Sequence, residues 1–177
     1  MIYLIDGVPR AGKSTLAKKL VEKNGIPFVS TDMVFNMLND TIPEFNLIEP
    51  YAERHIKFFP FFKNLMKHVQ NSVKDYVIEG DIFLPSQVHE LKKEYEIQAC
   101  FLGFSKITLQ EIKEHVGEND WLGDLSEADL QNLPNWIMET SRGLKDECEK
   151  YQIPYVDMIE GSYGRNLDRA YTCLLYS

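Results

Sequence analysis

The first two dozen residues constrain this chain most. A short apolar run, Ile2–Asp6, leads through Gly7-Val8-Pro9-Arg10-Ala11-Gly12-Lys13-Ser14-Thr15 into a helix-period segment. In that segment Leu16, Ala17, Leu20 and Val21 form one apolar stripe. Gly-x4-Gly-Lys-Ser between a strand and a helix is the spacing of a phosphate-binding loop. The glycines let the backbone curl so that successive N–H groups point inward, at the positive end of the following helix. Gly7, Pro9, Arg10, Ala11, Gly12, Lys13, Ser14 and Thr15 are therefore the candidate nucleotide-binding residues. Lys13 suits the β- and γ-phosphates, the Ser14 hydroxyl suits magnesium, and Thr15 suits the α-phosphate. The expected ligands are ATP and Mg2+. Lys13 is expected to be exposed while the loop is empty. For Arg10 three placements stay open: on a phosphate, against a later segment, or over the surface.

The rest of the chain alternates in the same way. Candidate strands are Ile2–Asp6, Pro27–Ser30, Tyr76–Glu79, Ile97–Gly103 and Ile153–Asp157, each short and rich in β-branched or aromatic residues. With helices between them they predict an α/β fold, a five-stranded parallel sheet covered on both faces. Tyr51, His55, Phe58, Phe62, Leu65, Met66 and Val69 fall within about 100° of one another on a helix, with a kink or two abutting helices expected at Pro60. His55 belongs to that stripe, and so reads as a core or pocket-wall residue. A late helix is predicted over about 134–150, with Pro134 at its start and Ile137, Leu144 and Cys148 on its apolar side. Gly161–Gly164 is predicted as a turn before a closing helix, Arg165–Leu175. Two connections, 31–74 and 105–132, exceed what a simple crossover needs, and such excursions carry specificity or act as lids. The second holds Gly117, Gly123 and the acids Glu118, Asp120, Asp124, Glu127 and Asp129, and is expected to be solvated.

Composition narrows the partners. The 177 residues suit one domain, 1–177, and the net charge of −8 repels polyanions, so nucleic acid is not an expected partner. No segment approaches the ~20 apolar residues of a membrane span, and no secretory signal precedes the first strand. Cys100, Cys148 and Cys173 are scattered, as reduced core thiols are. A cytoplasmic protein is expected.

With its loop between strand and helix, and acids at the ends of strands two and three, the chain resembles the P-loop kinases of the nucleotide- and small-molecule-kinase group. That group includes adenylate, shikimate and gluconate kinases and the zeta-toxin and chloramphenicol phosphotransferase relatives. The resemblance implies a three-layer P-loop NTPase fold with sheet order 2-3-1-4-5. It also implies acceptor-binding helices after strand two (about 33–74) and a lid after strand four (about 105–132). Strand two ends in Ser30-Thr31-Asp32, where similar kinases place a carboxylate facing the acceptor; the plainer reading is a helix cap for a helix starting at Met33. Strand three ends in Val77-Ile78-Glu79-Gly80-Asp81, where relatives usually carry an Asp that orients a magnesium-bound water. Here the resemblance puts Glu79 near the metal, with Ser14, and Asp81 nearer the acceptor. Which of Asp32, Glu79 and Asp81 acts as base stays open. The resemblance also implies an arginine that neutralises the transferring phosphoryl group. Residues 105–141 hold none, which leaves Arg142, about 140° around its helix from Ile137, facing either cleft or solvent. The segment Asp157–Gly161 lies where relatives pack the adenine ring.

The expected activity is ATP-dependent phosphoryl transfer to a small molecule, with Lys13, Asp32 and Arg142 as catalytic residues and Asp32, Arg54 and Asp81 on the acceptor. Arg54 is the one arginine between residues 33 and 96, which tilts the acceptor toward a molecule of low charge, while Lys57 and Lys63 keep a nucleotide acceptor open. The alternative is a nucleotide-dependent switch or assembly factor.

Overall fold

A computed structural model describes residues 1–42, 51–114, 121–159 and 163–176, the side chains of residues 51 and 52 excepted. Five parallel strands, β1 (Ile2–Gly7), β2 (Phe28–Ser30), β3 (Tyr76–Glu79), β4 (Ile97–Gly103) and β5 (Tyr155–Asp157), form one sheet in the order β2-β3-β1-β4-β5. The register pairs Ile5 with Glu79 and with Cys100, and Ser30 with Glu79. The ends of β1, β2 and β3 therefore lie side by side, on the edge where open parallel sheets bind ligands.

Helices flank the sheet. On one side α1 (Lys13–Asn24) meets α7 (Tyr163–Tyr176) through Lys19–Asp168 and through Tyr171, whose hydroxyl donates to Asn24 Oδ1 at 2.7 Å. Elsewhere α4 (Pro85–Leu91) meets α6 (Glu127–Tyr151) through Ser86–Glu147 and the His89–Tyr151 ring pair, 5.0 Å between centroids. Between β2 and β3 run α2 (Thr31–Thr41) and α3 (Tyr51–Ser72). The predicted stripe of α3 is buried at His55, Phe58, Phe62, Met66 and Val69. Phe58 lies 4.8 Å from Phe35 of α2, and Phe62 lies edge-on to Phe83 at 5.5 Å. Each such ring pair adds about 0.5–1.5 kcal/mol beyond its buried area, enough to seat α2 and α3 beside the strand ends.

Several boundaries differ from expectation. At Pro60, where a kink or two abutting helices are expected, one helix runs through the proline. The ring leaves the Ile56 carbonyl without its helical donor, and the exposure of Ile56 opens that carbonyl to water. The late helix starts at Glu127 rather than 134, because Ser126 caps it by accepting the Asp129 N–H at 3.2 Å. Pro134 is thus interior, and the stretch 105–132 holds α5 (Leu109–Glu114), a 3-10 turn (Leu122–Asp124) and the first turns of α6. Gly117, Glu118 and Asp120 lie outside the described residues, as do Gly161 and Ser162 of the expected turn, while Tyr163 and Gly164 already belong to α7. Val21 is 37% exposed and stands off the α1 stripe. Pro27 and Ile153 fall just outside their strands.

One polar group organises this strand edge. Asp6, 2% exposed at the end of β1, accepts the Gly7 N–H at 2.7 Å on one oxygen. Its other oxygen accepts the Ile82 and Phe83 N–H groups at 3.1 and 2.9 Å. Burial holds its pKa well above the ordinary carboxylate value, against the opposing pull of the Phe83 and Gly7 amides and Lys13. Asp6→Asn keeps the shape but turns an N–H donor toward buried donors. It is expected to cost about 1–3 kcal/mol of stability, read as a lower urea midpoint at unchanged slope. An unchanged midpoint would show that the strand edge does not depend on this carboxylate.

Candidate active site

At Gly12 the loop turns into α1 with φ 86°, and no side chain caps the helix. The first turn closes through Leu16 N–H to Gly12 O at 2.9 Å, so the earlier amides stay open to a ligand. Lys13 is not exposed as expected: it is 9% accessible, and its Nζ donates to the Val8 carbonyl at 2.8 Å. The ammonium folds back along its own loop, which gives it a partner in place of a phosphate. Tyr163, at the start of α7, packs over the glycine; a Cβ on Gly12 would lie 2.4 Å from its hydroxyl.

Across from the loop stands a group of acids. Ser14 Oγ donates to Glu79 Oε2 at 3.2 Å, and Glu79 is 3% exposed. Gly80 lets α2 close on this strand end, since a Cβ there would sit 1.6 Å from Thr31 Oγ1. Thr31 and Asp32 form the first turn of α2 behind an N-cap at Ser30, so Asp32 is not the cap of a helix beginning at Met33. Asp32 is exposed to solvent and borders the open cleft. Its pKa is raised to about 7, first by desolvation, then by the charge of Asp81. Lys13 opposes the shift, while Glu79 and a hydrogen bond with Asp81 add to it. Asp81 lies 4.0 Å from Arg54, whose guanidinium stacks 4.1 Å over the Phe35 ring.

These groups line one cleft of about 1540 Å³. Of the sequence candidates, Pro9, Arg10, Gly12, Lys13, Ser14, Thr15, Asp32, Arg54, Glu79 and Asp81 all border it. Gly7 and Ala11 are loop backbone that does not border it. Arg142 does not reach the cleft: it is exposed on α6, where its neighbours Ser141 and Leu144 take the buried side. Ser141 Oγ accepts the Phe104 N–H at 2.9 Å, which fixes that turn of the helix facing the sheet. His55 is a buried residue that does not border the cleft, its Nδ1 2.8 Å from the Ile82 carbonyl. Asp157 holds the turn after β5 by accepting from Ser105 and Ile159, while Glu160 and Gly161 lie outside the described residues.

Sequence reasoning missed part of the walls. Phe35 and Asn36 border the cleft with Asp32, and their i, i+3, i+4 spacing on α2 was a readable signal. Trp121 and Trp136, the two tryptophans of the chain, border it from the other side, and no local pattern marked them. Asp6, buried beneath the loop, was passed over as the last residue of an apolar strand. Cys100 and Cys148 are buried, and burial pushes both pKa values up, Cys148 to about 12.

The donor set at Ser14 and Glu79, one hydroxyl and one carboxylate, fits a small hard cation that keeps waters and takes its remaining oxygens from phosphate. Among the described residues, no cluster of three or more His, Cys, Asp or Glu is arranged to hold a metal by protein ligands alone. No described helix is long and apolar enough to cross a membrane.

No family model matches the chain, and no curated protein matches it in sequence. Solved structures do match in shape. A gluconokinase from Sinorhizobium meliloti 1021 superimposes with TM-score 0.57 at 16% identity, over 97% of this chain and 90% of that one. Shikimate kinase from Acinetobacter baumannii, in complex with shikimate, gives 0.58 at 14% identity, over 98% and 92%. Deoxyadenosine kinase from M. mycoides gives 0.52 at 12% identity, over 96% of each chain. With its parallel 2-3-1-4-5 sheet and near-complete coverage by these structures, the chain has the fold of the P-loop small-molecule kinases.

Proposed function

We propose that this protein transfers the γ-phosphoryl group of ATP, in a magnesium-dependent reaction, to a hydroxyl or phosphate of a small-molecule acceptor. The observation that carries this reading is the meeting of Lys13, the Ser14–Glu79 pair and the facing Asp32 in one cleft. The kinase neighbours in fold support it. A cytoplasmic setting, where ATP and magnesium are supplied, goes with the same reading.

In this mechanism the loop amides and the start of α1 bind the phosphate chain, and Lys13 exchanges the Val8 carbonyl for β- and γ-phosphate oxygens. Ser14 and Glu79 would hold the magnesium ion, which would supply neutralisation of the phosphate charge. The acceptor lies on the α2–α3 side, against Phe35, Asn36, Arg54 and Asp81. Asp32 faces it from the first turn of α2 and aligns the hydroxyl with the γ-phosphorus, taking its proton as the new O–P bond forms and ADP leaves. Asp81 raises the proton affinity of Asp32 and is itself steadied by Arg54. The direct test is an ATP-consumption screen across hydroxylated metabolites and nucleotides, with Lys13→Ala as the blank. Consumption that no acceptor stimulates would favour a nucleotide-dependent switch instead.

Two further outcomes are expected. Magnesium-ATP at a hundred times its dissociation constant is expected to stabilise the wild type by about 2.7 kcal/mol, seen as a higher melting temperature. Lys13→Ala, folded by circular dichroism, is expected to lose most of that shift, and an equal shift in both proteins would contradict the loop assignment. Asp32→Asn is expected to lower single-turnover transfer by roughly 10²–10⁴ while ATP still binds. Because the Asp32 pKa is raised, its charged form predominates only above about pH 7. Wild-type transfer should therefore fall as pH drops through that value, and magnesium binding moves the inflection lower. The residual Asp32→Asn rate should lack this step, and an unchanged rate would transfer the role to Glu79 or Asp81.

A further inference from the structure

Resting on the proposed kinase reading of the cleft, we propose that its acceptor is a hydroxylated amine, held as a cation among Asp32, Asp81 and Asp129. The cations of the cleft supply the first ground. Arg10, Lys13, Lys18 and Arg54 border it. The first three belong to the phosphate loop and to α1, the side that takes the triphosphate. Arg54 is the cation of the opposite side, and it already meets Asp81 at 4.0 Å and covers the Phe35 ring. Lys57 is exposed and does not border the cleft. Lys63, which pairs with Glu94 at 2.7 Å, does not border it either. The segments outside the described residues contain no lysine or arginine. An acceptor carrying phosphate or carboxylate would meet one guanidinium there, already matched by a carboxylate, where anion recognition calls for several charged donors.

The walls supply the second. Thr31 rests against Gly80, which brings Asp32 beside Asp81, near enough for the two carboxyls to hydrogen-bond. The first half of α6 turns Asp129, Asn132, Leu133 and Trp136 to the cleft, an i, i+3, i+4, i+7 face. Asp129 is steadied at the first turn, where one of its oxygens accepts the Ser126 hydroxyl at 2.6 Å. On α2 the set is alike: Asp32, Phe35 and Asn36 at i, i+3, i+4. Each helix thus brings one carboxylate, one carboxamide and one aromatic ring. With Asp81, three carboxylates stand against the one guanidinium of Arg54, while Glu79 is engaged by Ser14. Crowded carboxylates favour a positive charge among them, and aromatic walls suit the carbon body of an amine.

Room is the third ground. The cleft of about 1540 Å³ exceeds the roughly 300–1,000 Å³ of a single-ligand pocket, so it holds an acceptor beside the nucleotide. In the reaction the acceptor hydroxyl oxygen forms the new O–P bond and its proton passes to Asp32. The bond from the γ-phosphorus to the bridging oxygen breaks, and ADP leaves with that electron pair. The ammonium takes no part in these bond changes; it anchors the molecule so that the hydroxyl faces the γ-phosphorus.

The experiment measures kcat/KM with magnesium-ATP for hydroxylated compounds of three charge classes. These are amino sugars and amino alcohols, uncharged sugars and nucleosides, and sugar acids and nucleoside monophosphates. The best acceptor is expected in the first class, and its N-acetyl derivative is expected to lose about ten- to a hundredfold in kcat/KM. Asp129→Asn, which keeps the size and an oxygen for Ser126, is expected to raise KM for the amine about tenfold and KM for the N-acetyl compound less than twofold. Asp124→Asn removes the same charge from an exposed acid that does not border the cleft, and should change neither. A best acceptor that is neutral or anionic, or an amine that tolerates N-acetylation, overturns the inference and leaves the kinase reading standing. An Asp129→Asn protein that treats the two compounds alike overturns it too. If no compound of any class stimulates ATP consumption, phosphoryl transfer and the inference fall together.

Discussion

The buried carboxylate of Asp6 ties the phosphate loop to the acids opposite it. One oxygen holds the first amide of the loop and the other holds two amides just past β3. A carboxylate so buried is costly unless its lone pairs are occupied, and here three backbone donors occupy them. The consequence is geometric. Gly7 and Asp81 flank segments fixed to the same side chain, so the loop and the acids hold their spacing before any ligand arrives. Preorganisation of that kind lets binding energy go into the reaction rather than into assembling the site.

The site is then a balance of charge at short range. Glu79 meets the Ser14 hydroxyl, Asp81 meets Arg54, and Asp32 is left facing the open cleft with a raised proton affinity. Gly80 and Thr31 set that geometry by shape alone, because the missing Cβ lets the first turn of α2 rest on the end of β3. The aromatic column Phe35, Phe58, Phe62 and Phe83 supports the α2 side of the cleft from behind. Packing on the apolar side thus decides where the polar side points.

Much of this was legible in the sequence. The strands and the loop follow from short apolar runs and from a glycine spacing that few structures satisfy, the strand order follows from the resemblance to the P-loop kinases, and the structure carries the same order. Asp32, Glu79 and Asp81 were readable because strand ends are where a parallel sheet exposes side chains. Arg142 stays open between cleft and solvent in the sequence because helical periodicity says which face is apolar but not which neighbour covers the rest; in the structure it is exposed and does not border the cleft. The expected start of α6 is too late because Pro134 suits a first turn, whereas Ser126 supplies a cap eight residues before it. Trp121, Trp136 and Tyr163 reach the cleft through tertiary packing between elements distant in sequence, and no local pattern encodes that. For Arg10 the sequence leaves three placements open, because its place against Trp121 depends on the same long-range packing.

The central claim is that the loop at residues 7–15 receives the phosphates of a magnesium nucleotide. Its most direct measurement is a titration of the 15N-labelled 20.6 kDa protein with magnesium-ATP, followed by amide chemical shifts. The largest shifts are expected at Gly12, Lys13, Ser14 and Thr15, with smaller ones at Gly80 and Asp81. Saturable shifts that cluster elsewhere while the loop amides stay still would contradict the account.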